Sequence, residues 1–455
     1  MPEIKDVLQK QKQFYATGAT RDISFRIAQL SKLKAQLELR EPELFAALRA
    51  DFNKSEFESY TSEIALVKNG ITQFERRLRR WGKDKPVPRT LATFHAKGRI
   101  RYEPFGQVLI MSPWNYPVQL TLGPLIGAIA AGNTAVVKPS RYVPHTVRVM
   151  KEMLQSIYDE EYVAIFEGGR EANQALLTER FDFIFFTGGT TVGKIVMQAA
   201  AEHLTPLVLE LGGKSPAIVD ASADIEMAAK SICWGKYTNA GQTCIAPDFV
   251  VAHADVKDKF IAALKKNINA FYGDDPKKSP DFARIITEKH FDKVSSLLDA
   301  EKAVAGGQTH KEERYIAPTV LDNVSWDDAI MAEEIFGPIL PVISYDDTHD
   351  MIRRVSSIET PLAFYIFSQD KKLTREYLER IASGDAVIND TLIHFANHHL
   401  PFGGKGSSGM GAYHGKQSFE TFSHKRSVVT RSGRMDNPLR YQPYKSKLDF
   451  IKKIM

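Results

Sequence analysis

The sequence predicts an α/β protein in which two units of mostly parallel sheet follow a helical N-terminal block and are joined by a small β arm. Three observations lead there. Short apolar runs alternate with helical patterns from residue 107 onward, the N-terminal stretch carries helical spacing, and 455 residues exceed what one hydrophobic core supports.

Ile23, Ile27 and Leu30 recur at i, i+4 and i+7, and Ile64, Val67, Ile71 and Phe74 repeat a similar spacing, so amphipathic helices open the chain. From Val87 to Phe105 the pattern changes to short alternation about Lys97-Gly98, with Ile100 and Tyr102 on one face. This predicts a projecting hairpin suited to assembly. Strands are then expected at 107–111, 134–137, 163–166 and 183–186, and a second series at 217–219, 249–252, 339–344, 362–367 and 386–388. No residue from Gly106 to Val137 is charged. Pro113, Pro117 and Pro124, with Gly123, Gly127 and Gly132, break that run into buried strands, a turn and a short helix, none able to span a membrane.

Sixty basic residues against 55 acidic ones leave a net charge of +5, and the two signs are interspersed. No basic stripe follows a phosphate backbone, so nucleic acid is not an expected partner. The N-terminus is charged where an export signal needs an apolar run. Cys233 and Cys244 are the only cysteines, spaced as neither a metal nor a redox pair. They fit a reducing compartment, with the cytoplasm as the expected location and no metal site.

Cys244 stands among small and polar residues in Asn239-Ala240-Gly241-Gln242-Thr243-Cys244-Ile245, the polar, partly open setting that a thiolate nucleophile needs. On composition alone a lone cysteine is more often a buried small hydrophobe, and Cys233, inside an apolar helical segment, reads that way. Phe186-Thr187-Gly188-Gly189-Thr190-Thr191-Val192-Gly193-Lys194 follows a strand and opens a helix, so Gly188 and Gly193 let backbone N–H groups approach an anion. Ile195 after Lys194 excludes a P-loop, the second glycine is misplaced for a dinucleotide fingerprint, and a purely structural turn stays open. Glu210 ends an apolar strand before Gly212-Gly213. Desolvation there suits a general base, although a surface or salt-bridged glutamate is the commoner case. Pro113 and Pro117 bracket Asn115 and can hold its amide as an oxyanion donor, against the reading of an ordinary turn asparagine.

Together these segments resemble the aldehyde dehydrogenase superfamily along nearly the whole chain. The motifs Pro113-Trp114-Asn115, Val137-Lys138-Pro139-Ser140, Phe186-Thr187-Gly188, Glu210-Leu211-Gly212-Gly213-Lys214, Gly241-Gln242-Thr243-Cys244, Glu333-Glu334-Ile335-Phe336-Gly337-Pro338 and Pro401-Phe402-Gly403-Gly404 occur in the family's order. Gln242 to Asp248, Tyr413 to Lys416 and Phe419 to His424 look most like the class 3, fatty-aldehyde-type branch, which implies a homodimer.

The resemblance implies two doubly wound α/β domains with a bridging arm: a nucleotide-binding domain at 1–86 and 106–210, a catalytic domain at 211–391, bridging elements at 87–105 and 392–435, and a basic tail at 436–455. It implies NAD(P)-dependent oxidation of aldehydes to carboxylates. Cys244 attacks the carbonyl carbon, Asn115 and the Cys244 N–H hold the oxyanion, and Glu210 activates water against the thioester. Lys138 and Glu334 are implied at ribose hydroxyls, Phe336 near the nicotinamide, and Trp114, Ser140 and the Gly188–Gly193 turn near the adenosine and pyrophosphate. Where many NAD-preferring members carry Glu after Lys-Pro-Ser, this chain has Arg141, a residue able to pair with a 2′-phosphate, so NADP is expected to be accepted alongside NAD. Tyr60, Tyr116 and Phe395 are candidate walls for a medium or long aliphatic or aromatic aldehyde. Lys236 also has a match in the class 3 branch but reads as a helix-surface lysine.

Two alternatives remain: a coenzyme A-acylating dehydrogenase, against which Glu210 counts, and a non-catalytic binding protein retaining the fold. The C-terminal end is too short and charged to span a membrane. Lys445, Lys447, Lys452 and Lys453 beside Phe450 and Ile451 also allow weak contact with an acidic membrane surface, although a packed terminus is the simpler reading.

Overall fold

The computed structural model describes residues 2–90, 93–433, 438–445 and 447–454. The expected boundary at 435/436 lies outside them. Helices Pro2–Ala16, Ile23–Leu39, Glu41–Phe52 and Ala65–Trp81 form the N-terminal block. Asp22 starts the second by accepting the Ser24 amide. Leu30, Leu33 and Leu37 of that helix, with Val67, Ile71, Phe74 and Leu78 of the last, form its buried stripes.

The first sheet runs in the order Gly409–Met410, Leu207–Glu210, Phe183–Thr187, Gln107–Met111, Thr134–Lys138, Val163–Ile165. All neighbours are parallel except the edge strand Gly409–Met410. The chain moves outward from Gln107–Met111 to Val163–Ile165, then returns to the other side with Phe183–Thr187. The carboxyl ends of these two central strands therefore flank a topological switch point, where such sheets open for a ligand.

Pro117–Ala131 is a fifteen-residue helix, longer than the short helix expected. Pro117 sits in its first turn, where no intrahelical N–H is needed, and burial on nearly every side retains the helix through Pro124. It remains shorter than the roughly 20 residues a span needs, and no helix among the described residues is long and apolar enough to cross a membrane.

The second sheet has seven strands, in the order Ala303–Ala305, Thr319–Leu321, Ile339–Tyr345, Phe249–His253, Pro216–Val219, Ala363–Phe367, Asp385–Ile388. Only the first pair is antiparallel. A separate antiparallel sheet joins Lys85–Val87, Ala96–Pro104 and Ser423–Arg431. Lys97-Gly98 lies within its middle strand and not at a reversal. Gly98 pairs with both Val87 and Val429, and a Cβ there would come within 2.7 Å of the Val87 side chain. The glycine permits close pairing instead of a turn.

Candidate active site

The central strand Gln107–Met111 delivers Ser112 to the switch point, where its amide bonds the Lys138 carbonyl and its hydroxyl lies 2.6 Å from Thr121. The chain then turns through Pro113 and Trp114 into Asn115, which is 3% exposed. The Asn115 carbonyl accepts from Asn239 Nδ2 at 2.9 Å and Lys54 Nζ at 3.4 Å. Its side-chain amide donates to the Gln242 carbonyl at 3.1 Å, which leaves its second N–H for another acceptor. Lys54 is itself buried against Glu63 at 2.7 Å, and Glu63 accepts the Val118 amide at the start of the next helix.

The loop before Cys244 takes a shape that glycine alone adopts easily. Asn239, Ala240 and Gly241 are three successive left-handed residues, with φ of 53°, 51° and 75°. A Cβ on Gly241 would lie 2.3 Å from the Gly337 carbonyl. Gln242 secures the strained loop, donating to the Asn239 and Arg284 carbonyls and accepting the Ile286 amide. Cys244 is half-buried, whereas Cys233 is fully buried. Burial first, then the Glu334 and Glu210 carboxylates, push the Cys244 thiol pKa up, while the N–H groups of Cys244 and Ile245 act in the other direction.

Glu210 ends the strand Leu207–Glu210 and is 2% exposed, with neither carboxyl oxygen hydrogen-bonded to the protein. Burial, reinforced by Asp385, holds its pKa well above the carboxylate range. Next to it, Gly212 lets the Glu334 carboxyl approach the backbone, since a Cβ there would lie 2.4 Å from its oxygen. Glu334 is raised to about 8, by burial and then by Asp248. Its segment is fastened from beneath. Lys214 Nζ donates to Asp248 at 2.6 Å and to the carbonyls of Ile330 and Glu333, while Asp248 accepts the Ile335 amide at 3.0 Å. Phe336, at φ 53°, meets Trp114 edge-on at 5.4 Å.

Lys236 departs from its reading as a surface lysine. It is fully buried, with Nζ 3.9 Å from Asp248, and burial lowers its pKa to about 8.

The glycine-rich turn departs from the expectation in which amides it leaves free. The Gly188 amide is engaged by the Glu210 carbonyl and the Gly193 amide by the Gly189 carbonyl, so neither is free for a ligand. A Cβ on Gly193 would meet Leu211 at 2.7 Å, which makes that glycine a packing residue. The amides pointing out of the first turn of Thr190–Glu202 are those of Thr190 and Thr191. Gly189 has open space beside it, and the buried Thr187 hydroxyl has no protein partner.

One cleft of about 780 Å³ is bordered by Trp114, Asn115, Gly188, Glu210, Cys244, Glu334 and Phe336. His290, beside Trp114 at 5.1 Å, also borders it without having been singled out in the sequence. Lys138, Ser140 and Arg141 lie beyond that lining, at the carboxyl end of the adjacent strand. Lys138 is buried, donates to the Pro139 carbonyl at 2.8 Å, and is lowered to about 8 by burial and then by Arg141. Ser140 accepts the Tyr142 amide, and exposed Arg141 lies over the Tyr142 ring.

The three aromatic candidates separate. Tyr116 packs beside the nucleophile loop, its hydroxyl 2.7 Å from Thr243. Phe395 borders a smaller inner cavity, and Tyr60 is 38% exposed beneath Lys68, on neither lining.

A family profile described as "Aldehyde dehydrogenase family" matches residues 2–428. The chain belongs to the aldehyde dehydrogenase family. It is 47% identical over 443 residues to 4,4'-diaponeurosporen-aldehyde dehydrogenase of Staphylococcus aureus (strain NCTC 8325 / PS 47), covering 97% of this chain and 96% of that protein. It is 46% identical over 449 residues to aldehyde dehydrogenase family 3 member B1 of Rattus norvegicus, covering 98% and 96%. The fold matches the substrate-bound state of Staphylococcus aureus AldH with a TM-score of 0.97, at 46% identity and over 99% of each chain. It also matches the NAD+ complex of the aldehyde dehydrogenase from Bacillus cereus with a TM-score of 0.85, at 25% identity, over 94% of this chain and 89% of that one. This aldehyde dehydrogenase is of the class 3 type and oxidises aldehydes to carboxylates with NAD(P).

Proposed function

We propose that the enzyme acts on medium or long aliphatic and aromatic aldehydes through Cys244, with Asn115 as oxyanion donor and Glu210 as base. The observation that carries this is the meeting of a half-buried thiol, an amide with a spare N–H and a carboxyl without protein partners on one cleft. Cys244 Sγ adds to the aldehyde carbon, and the resulting alkoxide is held by the Asn115 amide and the Cys244 N–H. The thiol is pushed up where it stands, so positive charge entering the cleft favours the attacking thiolate. A nicotinamide cofactor bound there supplies the hydride acceptor. Glu210, once deprotonated, takes a proton from water as it attacks the thioester, and the acid leaves as Cys244 recovers its thiol.

The residues fit a dinucleotide. The outward amides of Thr190 and Thr191 and the partnerless Thr187 hydroxyl suit phosphate oxygens, while Lys138 and Glu334 suit ribose hydroxyls and Phe336 and Trp114 present faces to a ring. Ser140 and the Gly188 turn complete the cofactor reading, and Arg141 gives comparable acceptance of NADP. Tyr116, beside the nucleophile loop, is the aromatic candidate best placed to face an aldehyde at Cys244; Phe395 borders the separate inner cavity, and Tyr60, on neither lining, has no place in the wall.

The domain assignment is a nucleotide-binding domain at 1–86 and 106–210, a catalytic domain at 211–391 and a bridging arm at 87–105 and 392–435; the two large sheets support the two α/β units, while Lys85–Val87 pairs within the arm sheet and Gly409–Met410 pairs with Leu207–Glu210 of the first sheet. The protein acts as a cytoplasmic homodimer. Its basic C-terminal tail makes at most weak contact with acidic membranes, through Lys447, Lys452 and Lys453 of the helix Lys447–Ile454.

Steady-state oxidation of an aldehyde panel with each cofactor, the product identified with and without coenzyme A, tests the reading. Free acid is expected in both cases; an acyl-coenzyme A as sole product overturns it. Turnover per Michaelis constant is measured with each cofactor before and after Arg141→Glu; a strong NAD preference in the unmodified enzyme overturns the cofactor assignment.

A further inference from the structure

A buried ion pair stands beneath the oxyanion donor. The side chains of Lys54 and Glu63 are fully buried and meet at 2.7 Å. Lys54 follows Asn53, whose left-handed backbone ends the helix Glu41–Phe52. Glu63 lies in a π-helical turn, Tyr60–Ile64, where the Ala65 amide reaches back to the Tyr60 carbonyl. Such turns are rare and recur at functional sites. This one leaves Tyr60 and Thr61 outside and turns Glu63 and Ile64 into the protein.

The pair grips the turn that carries Asn115 along its length. Lys54 Nζ donates to the Asn115 carbonyl at 3.4 Å and lies over the rings of Phe52 and Tyr116, at 5.0 and 4.5 Å, while Phe52 stacks on Trp114. Glu63 accepts from Lys54 with one oxygen and with the other accepts the Val118 amide at 2.7 Å and the Gln119 amide at 3.4 Å. From the opposite side, Asn239 donates to the same Asn115 carbonyl, and the Tyr116 hydroxyl lies 2.7 Å from Thr243, the neighbour of Cys244. Burial raises the Glu58 carboxyl to about 7, and Lys54 and then the Asn239 N–H act against it, so the ammonium stands near the nucleophile loop as well.

Taking two charges this deep is costly, and attraction between them does not by itself repay it. Neither side chain borders the cleft, so neither meets substrate or cofactor. What the pair reaches is Asn115. With its carbonyl held by Lys54 and Asn239, and one side-chain N–H spent on Gln242, the direction of the remaining N–H follows from the backbone beneath it.

We propose that Lys54 and Glu63 are positioning residues, the pair fixing the backbone at Asn115 so that its spare amide N–H points at the alkoxide formed on Cys244. A donor accelerates the reaction by being aimed at the oxygen that gains charge, more than by holding the starting aldehyde. This role rests on the Cys244 and Asn115 reading.

The test is a mutant cycle in the full-length enzyme oxidising an n-alkanal: Lys54→Met, Asn115→Ala, the two together, and Lys54→Met with Glu63→Gln. The last removes both charges, so no buried charge is left alone, and it takes the place of Lys54→Met in the cycle if that variant does not fold. Lys54→Met is expected to lower kcat/KM for the aldehyde about thirtyfold through kcat, with KM and the affinity and stoichiometry of cofactor binding within about twofold, because a contact made only in the transition state is lost. In the Asn115→Ala background the same change is expected to cost less than about twofold, since the donor it aims is gone. A loss of similar size in both backgrounds, unchanged kcat/KM in folded Lys54→Met, or a loss confined to KM or to cofactor stoichiometry overturns the positioning role. Undiminished kcat/KM in Asn115→Ala instead overturns the oxyanion-donor reading beneath it.

Discussion

The two large sheets share an architecture and use opposite ends of it. The first opens its switch point to the cleft, so that Ser112 to Asn115 and Gly188 to Thr191 leave the carboxyl ends of its central strands. The second presents the other end: Gly212-Gly213 precede strand Pro216–Val219, Cys244 precedes Phe249–His253, and Glu334 precedes Ile339–Tyr345. Its own switch point, between the carboxyl ends of Pro216–Val219 and Ala363–Phe367, is closed by hydrogen bonds. Asp220 accepts the Ser222 amide and hydroxyl, the Ser222 hydroxyl accepts the Gln369 and Asp370 amides, and the Asn389 side chain exchanges two bonds with Ser368. In this chain the open switch point is the one whose helix start leaves the Thr190 and Thr191 amides outward, whereas the other spends its amides on Ser222 and Asn389.

The sharpest way to break this comparison is at the nucleophile. Cys244→Ala is expected to lower aldehyde oxidation by about a thousandfold or more while leaving cofactor affinity near its original value, measured by steady-state kinetics and fluorescence titration. Next comes Glu210→Gln, expected to retain a pre-steady-state burst of reduced cofactor and to slow steady turnover about a hundredfold. Glu210 is held well above the ordinary carboxylate range, and its base form is the one that works, so turnover should rise as pH climbs through that pKa. The same rise should vanish in the glutamine variant.

A smaller effect is expected beneath the site. Asp248→Ala strands buried Lys214 and releases the Ile330–Ile335 segment, so the cofactor KM should rise about tenfold and unfolding free energy fall by about 3 kcal/mol, read by kinetics and denaturant titration. The smallest belongs to the closed switch point. Ser222→Ala should lower stability by about 1 kcal/mol and leave kcat/KM unchanged. A kinetic defect there would mean that the sealed end also serves the reaction.

The strands were legible because buried parallel strands read as continuous apolar runs. Those at 107–111 and 134–138 follow that pattern, and fixed-order motifs pointed to Cys244, Glu210 and Asn115, which border one cleft. What escaped depends on residues distant in sequence. Lys236 resembles a solvated helix lysine until Asp248 and the rest of the fold enclose it. Asn239 and Ala240 carry no local signal for left-handed backbone; Gln242 secures their shape by bonding the Asn239 carbonyl while anchored to the remote Arg284 carbonyl and Ile286 amide. Gly188 and Gly193 invited a phosphate reading by composition, yet helix and sheet bonding consume their amides and leave those of Thr190 and Thr191 outward. His414 was visible only within a family-like segment, since the inner cavity it borders is built by helices from the opposite end of the chain.

Gly241 resting against the Gly337 carbonyl gives the protein a chronology. The loop that presents the thiol packs so closely on a strand entrance far along the chain that position 241 has no room for a side chain, which ties the nucleophile's turn to a segment synthesised well after it. A substitution at either glycine would therefore be felt at the other, although nearly a hundred residues of chain lie between them.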